Sequence, residues 1–284
     1  MTDEKKFSGW KRTYIGLLNA ATVICILLGI MIHFGGWFGS DLLRGFTGSF
    51  ARGDENVSES AVVNSSTEAF DNITGYISAG NIEIVAADDY GYSYEGYPEK
   101  EAPKISINNG VLKIEQKSKK SGKLTDFKNR YHDARILITM PSDKKADTSL
   151  TLSMGAFSAE GVSFGKFKLV ANMGSIDLKD VTAKDLNIDA DMGGITLTDT
   201  SFSDGEINAD MGGIDLKDVT FDEADLEAAM GGITVTGNFN ELDCECSMGG
   251  ITVTCENDEA KLDLSADMGG ITVNGEDVGR KYKN

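Results

Sequence analysis

The sequence predicts an all-β protein with a β-solenoid or β-helix-like ectodomain of roughly 19-residue coils, preceded by one N-terminal transmembrane helix. Three observations carry this prediction. A Met-Gly dipeptide recurs seven times at nearly constant spacing, apolar residues recur at the same offsets in each copy, and residues 15–38 contain no Asp, Glu, Lys or Arg.

The apolar segment 15–38 is long enough to cross a bilayer as a helix, which takes about 20 residues. Lys5, Lys6, Lys11 and Arg12 lie in the flank before it. The positive-inside bias then places the N-terminus in the cytoplasm and the rest of the chain outside the cell. Because the run is longer than a signal-peptide core and no A-x-A-like site follows it, we expect an uncleaved single-pass anchor in the cell membrane.

Composition and periodicity divide the chain further. Residues after the anchor are rich in Gly, Ser, Asn and Glu, which is typical of a tether. Alternating apolar residues then predict strands over 77–85, 104–114 and 135–141. The segment 104–114 is predicted to be two strands joined by an Asn109-Gly110 turn. The predicted order is a cytoplasmic tail (1–14), the transmembrane helix (15–38), a tether (39–69), an N-terminal β part with a basic loop (70–149), Met-Gly-Gly repeats (150–279) and a basic tail (280–284).

The repeat is the dominant signal. Its methionines are Met154, Met173, Met192, Met211, Met230, Met248 and Met268, with spacings of 19, 19, 19, 19, 18 and 20. Small or aliphatic residues stand four and two positions before each Met, and apolar residues stand three and five positions after it. Period-two alternation places the Met with the residues before it, so we expect the methionines in the core rather than as Cu(I) ligands.

The next apolar residue stands three positions after each Met, and simple alternation would turn it to the outward face. The glycines between them must therefore form a bend that returns it to the core. The first Gly is present in all seven copies, whereas Ala156 and Ser175 replace the second. This difference predicts that the first position needs a positive φ or has no room for a Cβ atom.

Most of the negative charge belongs to the repeats. Of the formal net charge of −18, residues 150–279 contribute 26 Asp and Glu against 6 Lys and Arg, which argues against a nucleic-acid partner. Outward carboxylates make calcium conceivable. We nevertheless expect Asx turns, a solvated acidic face and no cofactor. The calcium candidates are Asp180, Asp191, Asp199, Asp210 and Asp218.

A basic cluster interrupts the N-terminal β part. It is expected to be a solvated loop, and the sharper alternative is a site for anionic wall polymer or lipid headgroups. Another envelope protein is a further possible partner. The candidate residues are Lys117, Lys119, Lys120, Lys123, Lys128 and Arg130.

The cysteines and carboxylates yield no catalytic set. Cys244 and Cys246 occupy inward positions of the repeat, so buried free thiols are expected for them and for Cys255. The regular coils carry no long inserted loop that would shape a cleft, so we expect no enzyme. The alternatives are a β-helix enzyme acting on polysaccharide, or a calcium-stabilised surface repeat protein.

The order of elements resembles a bacterial family. The residues that carry the resemblance are the strand 80–84, the segment 109–114, the strand 136–141 and the Gly-Gly-Ile-Thr-Val coils. Together they are similar to the “putative adhesin” group, a domain-of-unknown-function family of β-strand repeat proteins of the cell envelope, over about residues 70–275. The resemblance implies a β-helix-like domain exposed on the envelope, with a role in adhesion or stress response.

Overall fold

The computed structural model describes residues 62–65, 68–117, 131 and 133–284. These residues form β-strands and one short 3-10 helix, Glu99–Glu101, without an α-helix. The predicted all-β solenoid is confirmed for this part of the chain. The predicted transmembrane helix, 15–38, lies outside the described residues, and among those described no helix has the length and apolarity to span a bilayer.

Eight of the described strands precede the first Met-Gly copy. They are β1 (Val62–Ser65), β2 (Asn72–Ile77), β3 (Asn81–Ala86), β4 (Gly91–Glu95), β5 (Lys104–Asn108), β6 (Val111–Gln116), β7 (Arg135–Met140) and β8 (Lys145–Leu152).

The repeats contribute the remaining strands. They are β9 (Phe157–Glu160), β10 (Ser163–Met173), β11 (Ile176–Lys179), β12 (Thr182–Met192), β13 (Ile195–Thr198), β14 (Ser201–Met211), β15 (Ile214–Met230), β16 (Ile233–Met248), β17 (Ile251–Cys255), β18 (Lys261–Met268), β19 (Ile271–Val273), β20 (Glu276–Gly279) and β21 (Lys281–Lys283).

Parallel pairing arranges these strands into two ladders, which we call the long-strand ladder and the short-strand ladder. The long-strand ladder runs through β6, β2, β8, β10, β12, β14, the later part of β15, the later part of β16, and β18. The short-strand ladder runs through β7, β3, β9, β11, β13, the first parts of β15 and β16, β17 and β19. Each coil therefore contributes one strand to each ladder.

The inward columns are those that the repeat predicts. Four columns per coil are buried, at the positions four and two before Met and three and five after it; Ile188, Ala190, Ile195 and Leu197 are the members from one coil. A fifth buried column contains Phe202, Phe221 and Phe239, whose rings stack with centroid distances of 5.0 and 4.6 Å. In-register stacking thus places apolar groups on one another along the core.

The first glycine after each Met makes the corner possible. A Cβ atom on Gly193 would lie 1.9 Å from the carbonyl oxygen of Gly174 in the preceding coil, and the φ of Gly193 is +145°. The second glycine is different, because a Cβ on Gly194 would find its nearest atom at 3.8 Å. Both predicted reasons for an obligatory first glycine, conformation and space, are therefore confirmed.

Aspartates make the other corner of three coils. Asp180, Asp199 and Asp218 have φ values of 51°, 50° and 53°, a left-handed conformation that Asp adopts more readily than most residues. They lead from the short-strand ladder back into the long-strand ladder. The Asn109-Gly110 turn is confirmed in the same way, with φ values of 50° and 77°.

Strands β2 and β3 form a coil of the solenoid before the Met-Gly copies. Ile77 pairs with Leu152 and Ile82 with Phe157, so Ala79 stands in register with Met154, and Gly80 lies at the corner. The N-terminal β part thus belongs to the same two ladders as the repeats. This coil is hidden in the sequence because strands β4 to β7 separate it from the coil of β8 and β9 and because it lacks the Met.

Antiparallel strands cover both ends of the ladders. At one end β5 pairs with β6, and β4 pairs with β7 and β1. At the other end β21 pairs with β18, and β20 pairs with β19. β1 lies within residues 39–69, so the prediction of a tether is wrong for Val62–Ser65; its two β-branched residues favour a strand once β4 offers an edge.

We predict that Gly193→Ala destabilises the fold far more than Gly194→Ala. The first substitution makes the backbone shift and places an L-residue at a strained φ. It should lower the free energy of unfolding by on the order of 3 kcal/mol. The second meets open space and changes the free energy of unfolding by less than about 0.5 kcal/mol. Denaturant unfolding of both variants measures the difference; equal effects would contradict the close approach of the coils.

We also predict that deletion of residues 276–284 causes self-association. The deletion removes β20 and β21 and leaves the edges of β18 and β19 unpaired, which makes them templates for another chain. Light scattering after size-exclusion chromatography measures the outcome. The control, Lys281→Glu, changes the charge of the same segment and leaves the ion pair between Lys283 and Asp263 in place, so it should leave the association state unchanged.

Candidate functional site

The Met residues form a ladder on the outside of the solenoid. Met173, Met192, Met211 and Met230 pair in register at the ends of successive long strands, and the ladder continues through Met248 and Met268. Five members have exposed side chains, with exposed fractions from 39% for Met192 to 60% for Met268. We call the seven Met-Gly methionines of the repeats the Met ladder.

The prediction that these methionines lie in the core is therefore wrong. Alternation holds up to Ala190, which is buried, but Met192 already belongs to the corner that leads from one ladder to the other. Its backbone carbonyl accepts a hydrogen bond from the N–H of Gly174 at 2.8 Å, and the same bond recurs between Met211 and Gly193 at 2.9 Å. The coil changes direction at this point, so the Met side chain leaves the inward row and faces solvent.

The first two members differ from the rest. Met154 and Met173 are only partly exposed, and Met154 packs against the edge of the core. The exposed part of the Met ladder thus begins at Met192 and runs to Met268.

The outward face of the long-strand ladder is strongly acidic. Its columns stand seven, five, three and one positions before each Met. From the copy of Met192 onward, the carboxylates in these columns are Asp185, Asp189, Asp191, Asp204, Glu206, Asp210, Glu223, Asp225, Glu227, Glu241, Asp243, Glu245, Asp263 and Asp267. We call this set the acidic face.

Crowding within the acidic face raises pKa values. Partial burial, followed by the charges of Asp191 and Asp210, raises the pKa of Asp189 above its ordinary value. Partial burial, followed by the charges of Asp225 and Asp263, does the same for Asp243. Lys261 and Lys283 form ion pairs with Glu241 and Asp263 at one end of this face. Carboxylates outnumber these lysines, so the acidic face gives a negative potential beside the Met ladder.

The calcium candidates fall into two separate columns. Asp191 and Asp210 are exposed on the acidic face next to the Met ladder, whereas Asp180, Asp199 and Asp218 are exposed at the opposite corner. Within the described residues, no three His, Cys, Asp or Glu side chains are grouped so that they could hold a metal ion.

One of the six anionic-partner candidates lies within the described residues. Lys117 is exposed directly after β6, while Lys119, Lys120, Lys123, Lys128 and Arg130 lie outside the described residues. β6 and β7 pair in register with β2 and β3, so residues 117–134 connect β6 to β7, whereas the three residues 78–80 connect β2 to β3 in the next coil. We call residues 117–134 the basic segment.

The cysteines of the repeats are free and buried, as their inward positions predict. Cys244 pairs in register with Leu226 and Leu264, and Cys246 with Ala228 and Ala266. Burial raises the pKa of the Cys244 thiol, which keeps it protonated and unreactive at neutral pH. These thiols therefore act as small core residues.

A shallow depression lies on the outward face of the short-strand ladder. It has a volume of about 90 Å³, and Glu83, Glu160, Asp177 and Lys179 contribute to its lining. Lys179 donates a hydrogen bond to Glu160 at 2.6 Å across it. Sites for small-molecule ligands usually enclose about 300–1,000 Å³, so this depression offers room for little more than a few water molecules.

These features define the class of the protein as a parallel β-solenoid with a repeated Met-Gly corner. The sequence profile of the Toastrack DUF4097 family matches residues 70–284, and the chain belongs to this family. The resemblance to a “putative adhesin” family of unknown function is thereby confirmed.

One solved structure shares the fold, and two others are similar at lower TM-scores. A “putative adhesin” from Bacteroides fragilis is 16% identical, with coverage of 76% of this chain and 97% of that chain and a TM-score of 0.55. A “putative cell adhesion protein” from Clostridium sporogenes is 12% identical, with coverage of 76% and 99% and a TM-score of 0.38. A “putative lipid binding protein” from Parabacteroides distasonis is 19% identical, with coverage of 76% and 95% and a TM-score of 0.41. Among curated proteins, none matches this sequence.

We predict that mild acid stabilises the protein through the acidic face. Because Asp189 and Asp243 have raised pKa values when folded, the native state binds protons more tightly than the unfolded chain. Stability therefore rises as the pH falls from neutrality toward the ordinary Asp pKa of 3.8. Both side chains are mostly exposed, so we expect a rise in Tm of no more than about 2 °C from this pair.

Thermal melts between pH 7 and pH 4.5 measure this effect. Asp189→Asn with Asp243→Asn should flatten the pH dependence of Tm, whereas Asp88→Asn, an exposed carboxylate in the turn before β4, should leave it unchanged. If the Tm of the wild-type protein falls as the pH is lowered over this range, and the Tm of the double variant falls equally, Asp189 and Asp243 do not stabilise the protein in mild acid.

Proposed function

We propose that this protein is a single-pass envelope protein whose solenoid acts outside the cell as a non-enzymatic binding module. In this proposal residues 15–38 anchor the chain with its N-terminus in the cytoplasm. The basic segment that begins at Lys117 binds an anionic envelope surface, either a phosphate-bearing wall polymer or lipid headgroups.

The position of the basic segment is the observation that carries the proposal. The solenoid itself presents a field of carboxylates, which repels anionic surfaces. Residues 117–134 connect β6 to β7, the coil two before the first Met-Gly copy, and hold six Lys and Arg; Lys113 and Arg135 lie in the two strands beside them. Each Lys or Arg near an anionic surface contributes about 1 kcal/mol of attraction, so a cluster at the end of the stack could orient the whole solenoid.

The outward surfaces support binding rather than catalysis. Parallel pairing repeats each outward residue every coil, which makes extended faces, and the measured depression is too small for a polysaccharide unit. The names of structural neighbours, an adhesin and a cell adhesion protein among them, fit a non-enzymatic binding role.

We predict that charge reversal in the basic segment weakens binding to anionic surfaces. Lys117→Glu, Lys119→Glu and Lys120→Glu together should lower affinity for vesicles containing phosphatidylglycerol by at least tenfold, since each reversal removes about 1 kcal/mol of attraction or more. Co-sedimentation of the full-length chain at low and high salt measures it. A second arm with a purified polyphosphodiester wall polymer separates that source of anions from lipid.

The matched control reverses three exposed lysines of the solenoid, Lys166→Glu, Lys184→Glu and Lys217→Glu. It makes the same change in net charge away from the basic segment and should retain most of the binding. An equal loss of vesicle affinity in both triple variants would contradict the proposed site. Wild-type protein that binds neutral vesicles as tightly as anionic ones would also contradict it. Turnover of a wall polysaccharide that Asp191→Asn with Asp210→Asn abolishes would instead establish an enzyme.

A further inference from the structure

The exposed methionines of the Met ladder have no structural explanation in the core. Five of them are 39–60% exposed, and the corner that follows them is built by glycine, not by the Met side chain. Exposed strand ends usually favour polar or β-branched residues. Yet all seven Met-Gly copies place an unbranched thioether at this position.

What a thioether supplies, and leucine does not, is a soft metal ligand. Soft sulfur donors select Cu(I) over Mg²⁺ and Ca²⁺, which take oxygen ligands. A site of this kind needs two or more sulfurs at one ion. The structure provides them, because residues in register on neighbouring parallel strands stand roughly 4.8 Å apart, and Met230 and Met248 are such a pair.

The flexibility of methionine allows adjacent sulfurs to converge. Each side chain has three rotatable bonds beyond a fixed backbone position, so two neighbours can turn toward a single ion between them. Exposure leaves these torsions free of core packing for Met192 through Met268. The Met ladder therefore offers several overlapping pairs of sulfurs rather than one isolated pair.

The electrostatic surroundings favour a cation. Asp191, Asp210 and Asp267 each precede a methionine of the ladder by one residue and are exposed beside it. Thioethers are neutral, so the charge of a bound ion has to be balanced by other groups, and these carboxylates do so without competing as soft ligands. The acidic face behind them raises the local concentration of cations.

We propose that the Met ladder binds Cu(I), with pairs of thioethers from adjacent coils as ligands and the neighbouring aspartates as counter-charges. This site is separate from the basic segment of the proposed function, and neither depends on the other. An apolar protein partner on the same stripe is the competing occupant, and the test distinguishes it because leucine would preserve an apolar contact but not a metal site.

The experiment titrates the full-length chain with Cu(I) under anaerobic conditions, in competition with a chromophoric Cu(I) chelator. The variant is Met192→Leu, Met211→Leu, Met230→Leu and Met248→Leu, which keeps size and apolarity at exposed positions and should fold normally. We expect its affinity for Cu(I) to fall by at least about tenfold. Circular dichroism and Tm confirm that the variant is folded.

A second control separates thioethers from thiols. Cys244→Leu with Cys246→Ala places in these positions the residues that their register partners already have, and this variant should bind Cu(I) as the wild type does. Loss of binding in the cysteine variant with retention in the methionine variant would overturn the proposal.

A spectroscopic readout locates the ion directly. With methyl-¹³C methionine, addition of Ag(I), an air-stable ion of similar softness, should shift the methyl signals of the Met ladder. Met140 is fully buried in β7 and serves as the internal reference that should not move. Unchanged signals for Met192 through Met268, or chelator competition no weaker in the leucine variant, would show that the Met ladder is not a metal site.

Discussion

The close approach of successive coils at the Met-Gly corner is the constraint on which the rest of the structure depends. From Gly155 to Gly269, a Cβ atom at the first glycine would lie 1.9–2.2 Å from a carbonyl oxygen of the coil before it. Because only hydrogen occupies that space, backbone hydrogen bonds continue around the corner, as from Gly193 to Met211 at 2.9 Å and from Ile195 to Gly213 at 3.0 Å. The register of both ladders, and with it every inward column, follows from this uninterrupted bonding.

The same corner divides the surface into chemically different parts. The long strand before it presents the acidic face, and the short strand after it presents many threonines, such as Thr234 and Thr252. Between the two lies the Met ladder. Net charge of −18 is therefore not a bulk property of the chain but a pattern set by stacking. The proposed anion site in the basic segment and the proposed Cu(I) site in the Met ladder use different residues.

Much of the fold could be predicted because the repeat encodes it locally. Inward columns, the obligatory first glycine, the Asn109-Gly110 turn and the burial of Cys244 all follow from alternation and from the conformations that each residue type allows. The Met ladder was predicted wrongly for a definite reason. Strict alternation assigns Met to the inward row, whereas the chain changes direction at Met. A bend before the Met and a bend after it both return the next apolar residue, three positions on, to the core. The spacing therefore does not distinguish a buried Met from an exposed one. Exposure of the methionines, and the candidate site that they form, could not be derived from spacing alone.

The sequence by itself determined the coil, since a near-constant period with glycine at one place specifies a strand, a corner and a second strand, repeated. Only the tertiary structure decided where the stack begins and what its corners expose. Ala79-Gly80 joins the stack through pairing with residues about 75 positions away, a contact that no local pattern encodes. Strands β6 and β7 likewise join the stack only through their pairing with β2 and β3. Both outcomes depend on long-range register, which hydrogen bonding between strands sets after the local choices are made.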